Sequence, residues 1–401
     1  MKKKIIFIHF VKFLDFHYHL FEIDYLKKRF DIEVHDLSYF FNKKSHENYR
    51  YLDQKKKIIK FQNLENWYQK ITNEYKQYKN NLYLFYEGNP LSFKFLYYHY
   101  FLSRQKINIV YLKQNTLPIF DIKKHFSLKD NLIYKLHRFF KRNKHVFFEK
   151  KFEIINFFLN IISKNFPPKI IFVNGIINKK SIKKKFSTSK VVSLNSWDAS
   201  KIFFKEKKIN YFKQGYGVYL TPFSLNSASD SNAYGYKKIE VAKNVFNSVN
   251  KGLNAIEKKY KEKILIGLHP RSEDTIKKFK ELGNRLSYKY KTMELIKNSK
   301  FVITHMSVAI SYAVLFYKPL IFIFTKEHKK NLFYMRYNKL LANFFFSKAI
   351  DIEKINELEL KNHITKKIEI RYEYFKKKYL LSDKFKNTPN YKIIENIIYS
   401  S

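Results

Sequence analysis

The sequence predicts an α/β protein made of two halves, each a parallel sheet with helices on both faces. Short apolar runs alternate with longer amphipathic stretches along the chain, and this alternation is typical of β-α-β units. The apolar runs are continuous, as expected for strands that are buried on both faces. With 401 residues, the chain is long enough for two or three domains.

The first half contains six apolar runs that predict strands, separated by amphipathic stretches that predict helices. The longest helical stretches cover residues 63–80 and 130–165. The predicted strands are 4–10, 32–37, 82–86, 107–112, 169–174 and 190–194. We expect these elements to form a first domain over residues 1–205.

The second half repeats the pattern with fewer strands. Helices are predicted over 237–260, where apolar residues recur at three- and four-residue spacing, and over 307–317. The predicted strands are 217–220, 264–268, 301–304 and 320–324. We expect a second domain over residues 206–350, followed by a mostly helical tail over 351–401 that packs back across both domains.

The composition excludes several classes of protein. The net charge is +45, but 45% hydrophobic and 19% aromatic residues exclude a disordered polycation. The absence of cysteine excludes a disulfide scaffold, a zinc finger and an iron–sulfur site. A basic nucleic-acid-binding protein is only a third alternative, because no recognised nucleic-acid motif accompanies the charge. We therefore expect no nucleic-acid partner.

Glycine and proline are scarce, with 8 of each in the whole chain, so their positions are informative. Six of the eight glycines lie between residues 215 and 283, in the second half. The sequence therefore predicts that the functional centre lies in or beside this stretch.

The first motif of that stretch is a buried strand that runs into His269, Pro270 and Arg271. Pro270 ends the strand and fixes the turn, which places the histidine and the arginine at the rim of the sheet. Arginine presents a planar donor fork that suits phosphate, and histidine adds a further donor. No GxGxxG, Walker-type or HExxH motif is present, so those phosphate and metal schemes are not expected.

The second motif covers residues 301–311, where a strand ends at Thr304 and His305 and Ser307 stands at the predicted start of a helix. A serine at a helix N-terminus, with free backbone N–H groups behind it, is a possible anion site. Between the two motifs, Thr292 is predicted to cap a helix over 293–298. Arg285 supplies positive charge on the approach.

The order of these motifs resembles the nucleotide-sugar half of GT-B glycosyltransferases. A strand leads to His-Pro-Arg, a helix begins with a Lys-Thr-x-Glu-Leu sequence that includes Thr292 and Glu294, and a Thr-His-x-Ser strand end follows. The pattern is most similar to bacterial surface-polysaccharide transferases, including sialyltransferase and polysialyltransferase groups with HP and serine motifs. The resemblance covers residues 215–325; the first half resembles these enzymes only in architecture.

The resemblance implies two Rossmann-type domains that face a cleft, and a transferase that needs neither a metal nor a cofactor. It implies a nucleotide-sugar donor, with a CMP-linked sugar among the candidates, and a growing cell-surface glycan or lipid-linked glycan as acceptor. Met306 stands where a second serine is common, which leaves the donor nucleotide open. The donor-binding set implied in this way is His269, Pro270, Arg271, Arg285, Thr292, Glu294, Thr304, His305 and Ser307, with His269 also a catalytic candidate.

Related enzymes leave two alternatives open. Nucleotide-sugar epimerases and polyol-phosphate transferases also contain helices that start with a small polar residue and end in Lys-Pro, as at Lys318 and Pro319. An epimerase needs no acceptor, so its chemistry differs from that of a transferase at the second substrate.

An inverting transferase needs a base in the first half to take a proton from the acceptor hydroxyl. Glu87 is the main candidate, because it follows an apolar run and precedes a glycine turn, and Tyr-Glu-Gly partly resembles the acidic-acidic-glycine motif of sialyltransferase-type families. Asp15 and His17 are alternatives after the first strand. Asp198, beside Trp197, is a further catalytic candidate, and the tryptophan suits either sugar stacking or packing at a domain boundary.

No uncharged window long enough to span a membrane is present, and the apolar start of the chain is interrupted by His9 and Lys12. We therefore expect a cytoplasmic enzyme. Aromatic and basic residues interleave over 134–158, which predicts a helix able to lie on an anionic lipid surface. Peripheral association with the inner face of the plasma membrane is the corresponding expectation; a core helix with extended lysines is the alternative.

Overall fold

A computed structural model describes residues 2–10, 13, 15–41, 58–87, 92–114, 117–118, 120, 145–204, 212, 215–221, 238–269, 282–330, 332–357 and 365–401. The chain forms two compact units. The first comprises Met1–Asn115, His137–Phe204 and Lys378–Ser401, and the second comprises Thr116–Leu136 and Lys205–Lys377. The last helix of the chain therefore belongs to the first unit.

The first unit contains a seven-stranded sheet with the order β3-β2-β1-β4-β5-β6-β7. All neighbouring strands are parallel. The strands are β1 (Lys4–His9), β2 (Asp31–Asp36), β3 (Ile58–Lys60), β4 (Leu82–Glu87), β5 (Asn108–Lys113), β6 (Ile170–Asn174) and β7 (Lys190–Leu194). Apart from short edge strand β3, these strands are largely buried, which explains their continuous apolar sequences.

Helices of the first unit connect these strands and cover the sheet. They are α1 (Asp15–Leu20), α2 (Ile23–Leu26), α3 (Ser38–Phe41), α4 (Leu64–Tyr78), α5 (Phe93–Arg104), α6 (His145–Asn165), α7 (Gly175–Lys185) and α8 (Trp197–Ile202). A 3-10 turn, Lys79–Asn81, follows α4. Two buried apolar clusters result: one contains Phe7, Phe85 and Phe172, and the other contains Trp67, Tyr86 and Tyr111.

The second unit contains a six-stranded parallel sheet with the order β10-β9-β8-β11-β12-β13. The strands are β8 (Gly217–Leu220), β9 (Ile264–Leu268), β10 (Ser287–Lys289), β11 (Phe301–Thr304), β12 (Leu320–Phe324) and β13 (Ala349–Asp351). Its core joins the apolar stripe of one long helix to the sheet, with Phe246, Val249 and Leu253 against Ile266 and Ile303.

The helices of the second unit are α9 (Lys238–Tyr260), α10 (Thr292–Asn298), α11 (Ile310–Leu315), α12 (Lys326–Lys329), α13 (Leu332–Phe344) and α14 (Lys366–Phe375). A 3-10 segment, Ile352–Glu357, packs on α9, and a π-helical segment, Lys376–Leu380, follows α14. The chain ends with α15 (Asn390–Tyr399), whose Ile393, Ile394 and Ile398 enter the core of the first unit.

The predicted α/β class and the two parallel sheets are confirmed. Every predicted strand is present within one residue at either end. Three strands were not predicted, namely β3, β10 and β13. Each is three residues long and lies at a sheet edge, so none shows a long apolar run. Of the predicted helix over 130–165, residues 145–165 are helical and 130–144 lie outside the described part of the chain.

Two glycines that the sequence singled out serve packing. A Cβ at Gly252 of α9 would lie 2.3 Å from Ile352, so glycine lets the 3-10 segment approach the helix. At Gly217, a Cβ would lie 2.5 Å from the ring of Phe301 on the neighbouring strand. At these two positions glycine therefore permits close packing within the second unit.

Candidate functional site

Each sheet has one place where the strand order reverses, and ligands of open α/β proteins bind at the carboxyl ends of strands there. In the first unit the chain goes from β1 towards β2 and β3 on one side and returns to β4 on the other. In the second unit it goes from β8 towards β9 and β10, and returns to β11. The two switch points are therefore β1/β4 and β8/β11.

A histidine and a carboxylate meet at the switch point of the first unit. His9 is the last residue of β1 and Glu87 is the last residue of β4, and the two are register partners. The Nε2 atom of His9 lies 2.7 Å from Oε2 of Glu87. The His9 side chain is 3% exposed, whereas that of Glu87 is 37% exposed. Glu87 is therefore the member of the pair that solvent and ligands can reach.

The rings around His9 hold it in place. The His17 ring lies 4.5 Å from the His9 ring between centroids, and Phe13 lies edge-on to His9 at 5.2 Å. The backbone N–H of Phe13 donates to Oδ2 of Asp36 at 3.0 Å, so the end of β2 fixes the segment that follows β1. His17, an alternative base in the sequence prediction, is buried as a packing partner of His9.

This arrangement determines what the pair can do chemically. A carboxylate oxygen accepts hydrogen bonds, so Nε2 of His9 is the donor to Glu87 in this pair. The hydrogen bond fixes one carboxylate oxygen and leaves the other lone pairs of Glu87 for a substrate proton. A half-exposed carboxylate held in this way is a suitable general base.

Hydroxyl and imidazole groups occupy the corresponding edge of the second unit. Thr221 follows β8, and its Oγ1 accepts a hydrogen bond of 3.1 Å from the backbone N–H of His269, which follows β9. Ser307 lies just beyond β11 on the other side of β8. Strand spacing places the β9 and β11 ends about 10 Å apart. His269 and Ser307 are both partly exposed, so both are accessible to a ligand.

The predicted capping roles of Ser307 and Thr292 are wrong. Helix α11 begins at Ile310, and Ser307 instead opens a turn in which its hydroxyl accepts from the N–H of Ala309 at 3.2 Å. Thr292 is the first residue of α10, and Lys291 occupies the N-cap position without a side-chain cap. The helix predicted over 307–317 therefore begins later. The carbonyl of Ser307 accepts a hydrogen bond from the N–H of Ile310, three residues along the chain, and this spacing forms a turn before α11.

Thr304 and His305 lie at this edge but are fully buried. Nε2 of His305 lies 3.1 Å from the hydroxyl of Tyr219, and its ring packs 4.7 Å from that of His328. Burial, together with the charge of His328, holds the pKa of His305 well below its ordinary value, so the ring is neutral. The structure therefore places His305 in the core of the second unit.

Arg285 precedes β10, so it lies at the amino ends of the strands, on the side of the second sheet opposite to His269. Its Nη2 atom lies 2.6 Å from Oε2 of Glu257, and it also bonds Asn250 and Asn254 of α9. Oε1 of Glu257 accepts from the N–H of Ile264, the first residue of β9. These contacts occupy the guanidinium and tie α9 to the amino ends of the strands, so Arg285 is not brought together with His269.

The Asn195–Asp198 segment is largely structural. Asn195 is fully buried, and its side-chain amide donates to the carbonyls of Phe385 and Thr388, which fixes the chain before α15. Trp197 is 6% exposed and packs edge-on against Phe21 in the core of the first unit. The sugar-stacking interpretation of Trp197 is therefore wrong. Asp198 is half-buried in the first turn of α8.

Some predicted residues cannot be placed. Pro270, Arg271 and the glycine turn after Glu87 lie outside the described residues, as does the side chain of Asp15. Glu294 lies in the first turn of α10 and is partly exposed. Within the described part of the chain, no cluster of three or more histidine, aspartate or glutamate side chains is arranged to hold a metal ion.

His9 and Thr221 are the site residues that the sequence analysis missed. A signal for His9 existed, because it ends a continuous apolar strand as Glu87 does. The sequence interpretation took this histidine only as an interruption of an apolar run. Thr221 follows β8 in the same manner and carries no motif, so only the sheet order reveals its place beside His269.

The fold is GT-B, as comparison with solved structures shows. The glycosyltransferase UGT2 of Phytolacca americana, in complex with UDP-2-fluoro-glucose and pterostilbene, matches with a TM-score of 0.50 and 8% identity over 99% of each chain. The glycosyltransferase of kitacinnamycin matches with a TM-score of 0.50 and 8% identity over 98% of each chain.

A protein of Listeria monocytogenes assigned as a UDP-N-acetylglucosamine 2-epimerase also matches, with a TM-score of 0.50 and 11% identity over 100% of this chain and 98% of that one. The sequence matches no protein-family model and no curated protein. Identities this low establish the fold alone.

Proposed function

We propose that this protein is a glycosyltransferase that moves a sugar from a nucleotide-sugar donor to a hydroxyl of a growing cell-surface glycan. The observation that carries the proposal is the pairing of His9 with Glu87 at the switch point of the first sheet. A half-exposed carboxylate at this position is suited to taking the proton of an acceptor hydroxyl.

In the proposed step, Glu87 accepts the acceptor proton while the acceptor oxygen forms a bond to the anomeric carbon of the sugar. The bond from that carbon to the donor phosphate breaks, and the nucleotide leaves with the bonding electrons. His269 and Ser307 hold the phosphate oxygens through hydrogen bonds, with Arg271 assisting. Hydrogen bonds aimed at the developing charge lower the barrier.

Two observations bear on the nucleotide of the donor: the motif pattern of this sequence and the ligand of a solved GT-B protein. The resemblance to sialyltransferase-type enzymes favours a CMP-linked donor, whereas UGT2 of Phytolacca americana was solved with a UDP-sugar. A thermal-shift panel of CMP-, UDP- and GDP-sugars tests the proposal. We expect one nucleotide class to raise the Tm, and stabilisation by none of them would contradict it.

A nucleotide-sugar epimerase is the second candidate, favoured by the shared fold of the Listeria monocytogenes protein. An epimerase interconverts two nucleotide-sugars without an acceptor. Incubation with the stabilising nucleotide-sugar alone, followed by separation of the products, distinguishes the two activities. A new nucleotide-sugar isomer would establish the epimerase and exclude transfer as the main reaction.

Peripheral membrane contact is proposed for one surface of the first unit, which would bring the enzyme to a lipid-linked acceptor. Phe157 and Phe158 of α6 are exposed, and Phe158 lies 6.4 Å from the ring of exposed Phe93 on α5. Ile154 and Ile161 extend the apolar stripe at helical spacing. Lys164, which is exposed, lies three residues beyond Ile161 along the same helix.

An apolar stripe with a lysine beyond one end suits an anionic bilayer, into which the aromatic rings insert while the ammonium group contacts lipid phosphates. No helix of the described residues is long and apolar enough to cross a membrane. Flotation with vesicles that contain phosphatidylglycerol tests the contact. We expect co-flotation that Phe157→Glu abolishes, whereas equal binding of both proteins would contradict the proposal.

A further inference from the structure

A cavity of about 190 Å³ opens in the first unit, between β5, α6 and the end of α7. This volume is far above what a single water molecule requires, so it admits a small ligand. The described residues that line it are Tyr111, Lys113, Asn156, Leu159, Asn160, Ser163, Lys185 and Phe186.

The cavity lies on the opposite face of the sheet from Glu87. Side chains alternate between the two faces along a strand, so Tyr111 and Lys113 share one face of β5 while Leu112 occupies the other. Leu112 belongs to the apolar cluster that contains Phe85, on one face of the sheet. Tyr111 belongs to the cluster that contains Tyr86, on the other face. Because a layer of β-sheet separates the cavity from Glu87, the cavity is a separate site.

The cavity concentrates positive charge without a compensating acid. Lys113 is half-buried, and both its Nζ and that of Lys185 lie 5.4 Å from the centroid of the Phe186 ring. None of the described lining residues is acidic, and Lys113 forms no ion pair with any residue that the structure describes. Burial, followed by the nearby charge of Lys185, lowers the pKa of Lys113 to about 8.

Neutral hydrogen-bonding groups complete the lining. Helix α6 presents Asn156, Asn160 and Ser163 to the cavity at positions i, i+4 and i+7, where a helix that packs on a sheet normally presents apolar residues. Ser163 is 2% exposed, and its Oγ lies 3.2 Å from the hydroxyl of Tyr111. The Tyr111 hydroxyl in turn lies 3.1 Å from Nε2 of His99.

His99, at the end of this chain of hydrogen-bonding groups, adds no charge to it. Burial lowers the pKa of His99 to about 4, so its ring is neutral at physiological pH. Because this imidazole is neutral, Lys113 and Lys185 are the charged groups among the lining residues that the structure describes. The cavity therefore offers ammonium, hydroxyl and amide donors, and its net charge is positive.

We propose that this cavity binds a phosphate oxyanion, either inorganic phosphate or the phosphate group of a small phosphomonoester. The two ammonium groups would neutralise its charge, and the amides of α6 with the Ser163 hydroxyl would hydrogen-bond its oxygens. Lysines bind phosphate as point charges and are satisfied by an oxyanion in place of the missing carboxylate. The site is independent of the transferase function proposed above.

The test compares phosphate binding to the full-length protein and to Lys113→Met, by calorimetry and by the change in Tm at constant ionic strength. We expect Lys113→Met to weaken phosphate binding at least tenfold. Its Tm without phosphate should be unchanged or higher, because methionine fills the same volume without a buried charge. Lys184→Met, which removes a charge from the same helix as Lys185 but does not line the cavity, should bind phosphate like the wild type.

Two further comparisons distinguish this cavity from the donor site of the second unit, and phosphate from other anions. Ser307→Ala alters the proposed donor-phosphate contact in the second unit, so binding that Ser307→Ala removes and Lys113→Met leaves intact would overturn the proposal. Glycerol phosphate and acetate at the same concentration distinguish the ligands. Competition by glycerol phosphate would identify a phosphomonoester site, whereas stabilisation by acetate equal to that by phosphate would overturn the assignment to phosphate.

The pH dependence follows from the charge of Lys113. Because its pKa is about 8, the ammonium form dominates at pH 7 and is lost as the pH rises through that value. Lys185, the other charged side chain among the described lining residues, is exposed to solvent. Phosphate binding should therefore weaken between pH 7 and pH 9 in the wild type, and the same weakening in Lys113→Met would count against the site.

Discussion

The two sheets place different chemistry at equivalent positions. In the first unit, the switch point holds His9 bonded to a half-exposed carboxylate, Glu87. At the switch point of the second unit, His305, which follows β11, is fully buried against His328 and Tyr219. The accessible groups there are the hydroxyl of Ser307 and the imidazole of His269.

The comparison shows that a histidine at a strand end is not by itself a functional residue. His9 has a carboxylate partner that solvent reaches, whereas burial keeps the pKa of His305 well below its ordinary value and leaves it neutral. The first switch point suits proton removal, and the second suits hydrogen bonding to a phosphate. Four variants sharpen or break this division, and the largest effect is expected at the carboxylate.

Glu87→Gln should lower kcat for transfer about 10³-fold, because the amide has the shape of the carboxylate but cannot accept the acceptor proton. Steady-state kinetics with saturating donor measures the loss. Glu65→Gln, an exposed acid of α4 in the same unit, is the matched control and should keep full activity. A Glu87→Gln enzyme within threefold of wild type would remove Glu87 from the reaction.

Arg285→Met should destabilise the second unit by about 2 kcal/mol, since it removes hydrogen bonds between a charged group and Glu257, Asn250 and Asn254. Denaturant unfolding measures this loss. Donor affinity should stay within twofold of wild type. A tenfold loss of affinity without a change in stability would return Arg285 to the donor site.

His9→Gln should lower kcat about tenfold and leave donor affinity unchanged. The glutamine amide still donates to Glu87, so the carboxylate remains the base but is positioned less firmly. Rescue of part of the activity relative to His9→Ala would support this positioning role. If His9→Gln instead lost as much activity as Glu87→Gln, the histidine itself would be the base.

Glu22→Gln should stabilise the first unit by about 3 kcal/mol at pH 8 and have no effect near pH 4.5. Burial raises the pKa of Glu22 to about 7, against hydrogen bonds from Ser200 and the backbone N–H of Tyr391. Because this folded-state pKa lies above that of the unfolded chain, its stabilising contribution is complete below about pH 4.5 and is lost as the pH rises through about 7. An equal Tm difference at both pH values would contradict this assignment.

The sequence predicted the fold well because buried parallel strands are continuous apolar runs, and the runs that became β1, β4, β9 and β11 need no tertiary information to be found. It also placed Glu87 and His269 at strand ends. Short edge strands such as β10 were not predicted, because its three residues are not buried and show no apolar periodicity.

The remainder of the site depends on contacts between distant residues. Whether a strand-end histidine is active or buried is decided by its neighbours, and Glu87 lies 78 positions beyond His9 in the chain. Arg285 looks suited to phosphate by residue type, and only the geometry reveals that Glu257 and two asparagines of α9 occupy its donors. The residue types at the site and the order of the strands can be predicted from the sequence, whereas the hydrogen-bonding partner of each side chain cannot.

Donor affinity, measured by calorimetry for Ser307→Ala and Glu87→Gln side by side with the nucleotide-sugar that raises the Tm most, tests the different roles of the two switch points directly. We expect Ser307→Ala to bind the donor about tenfold more weakly, because a hydrogen bond to a charged phosphate is lost. We expect Glu87→Gln to bind the donor within twofold of wild type. Weaker binding by Glu87→Gln with unchanged binding by Ser307→Ala would contradict the division of roles between the two switch points.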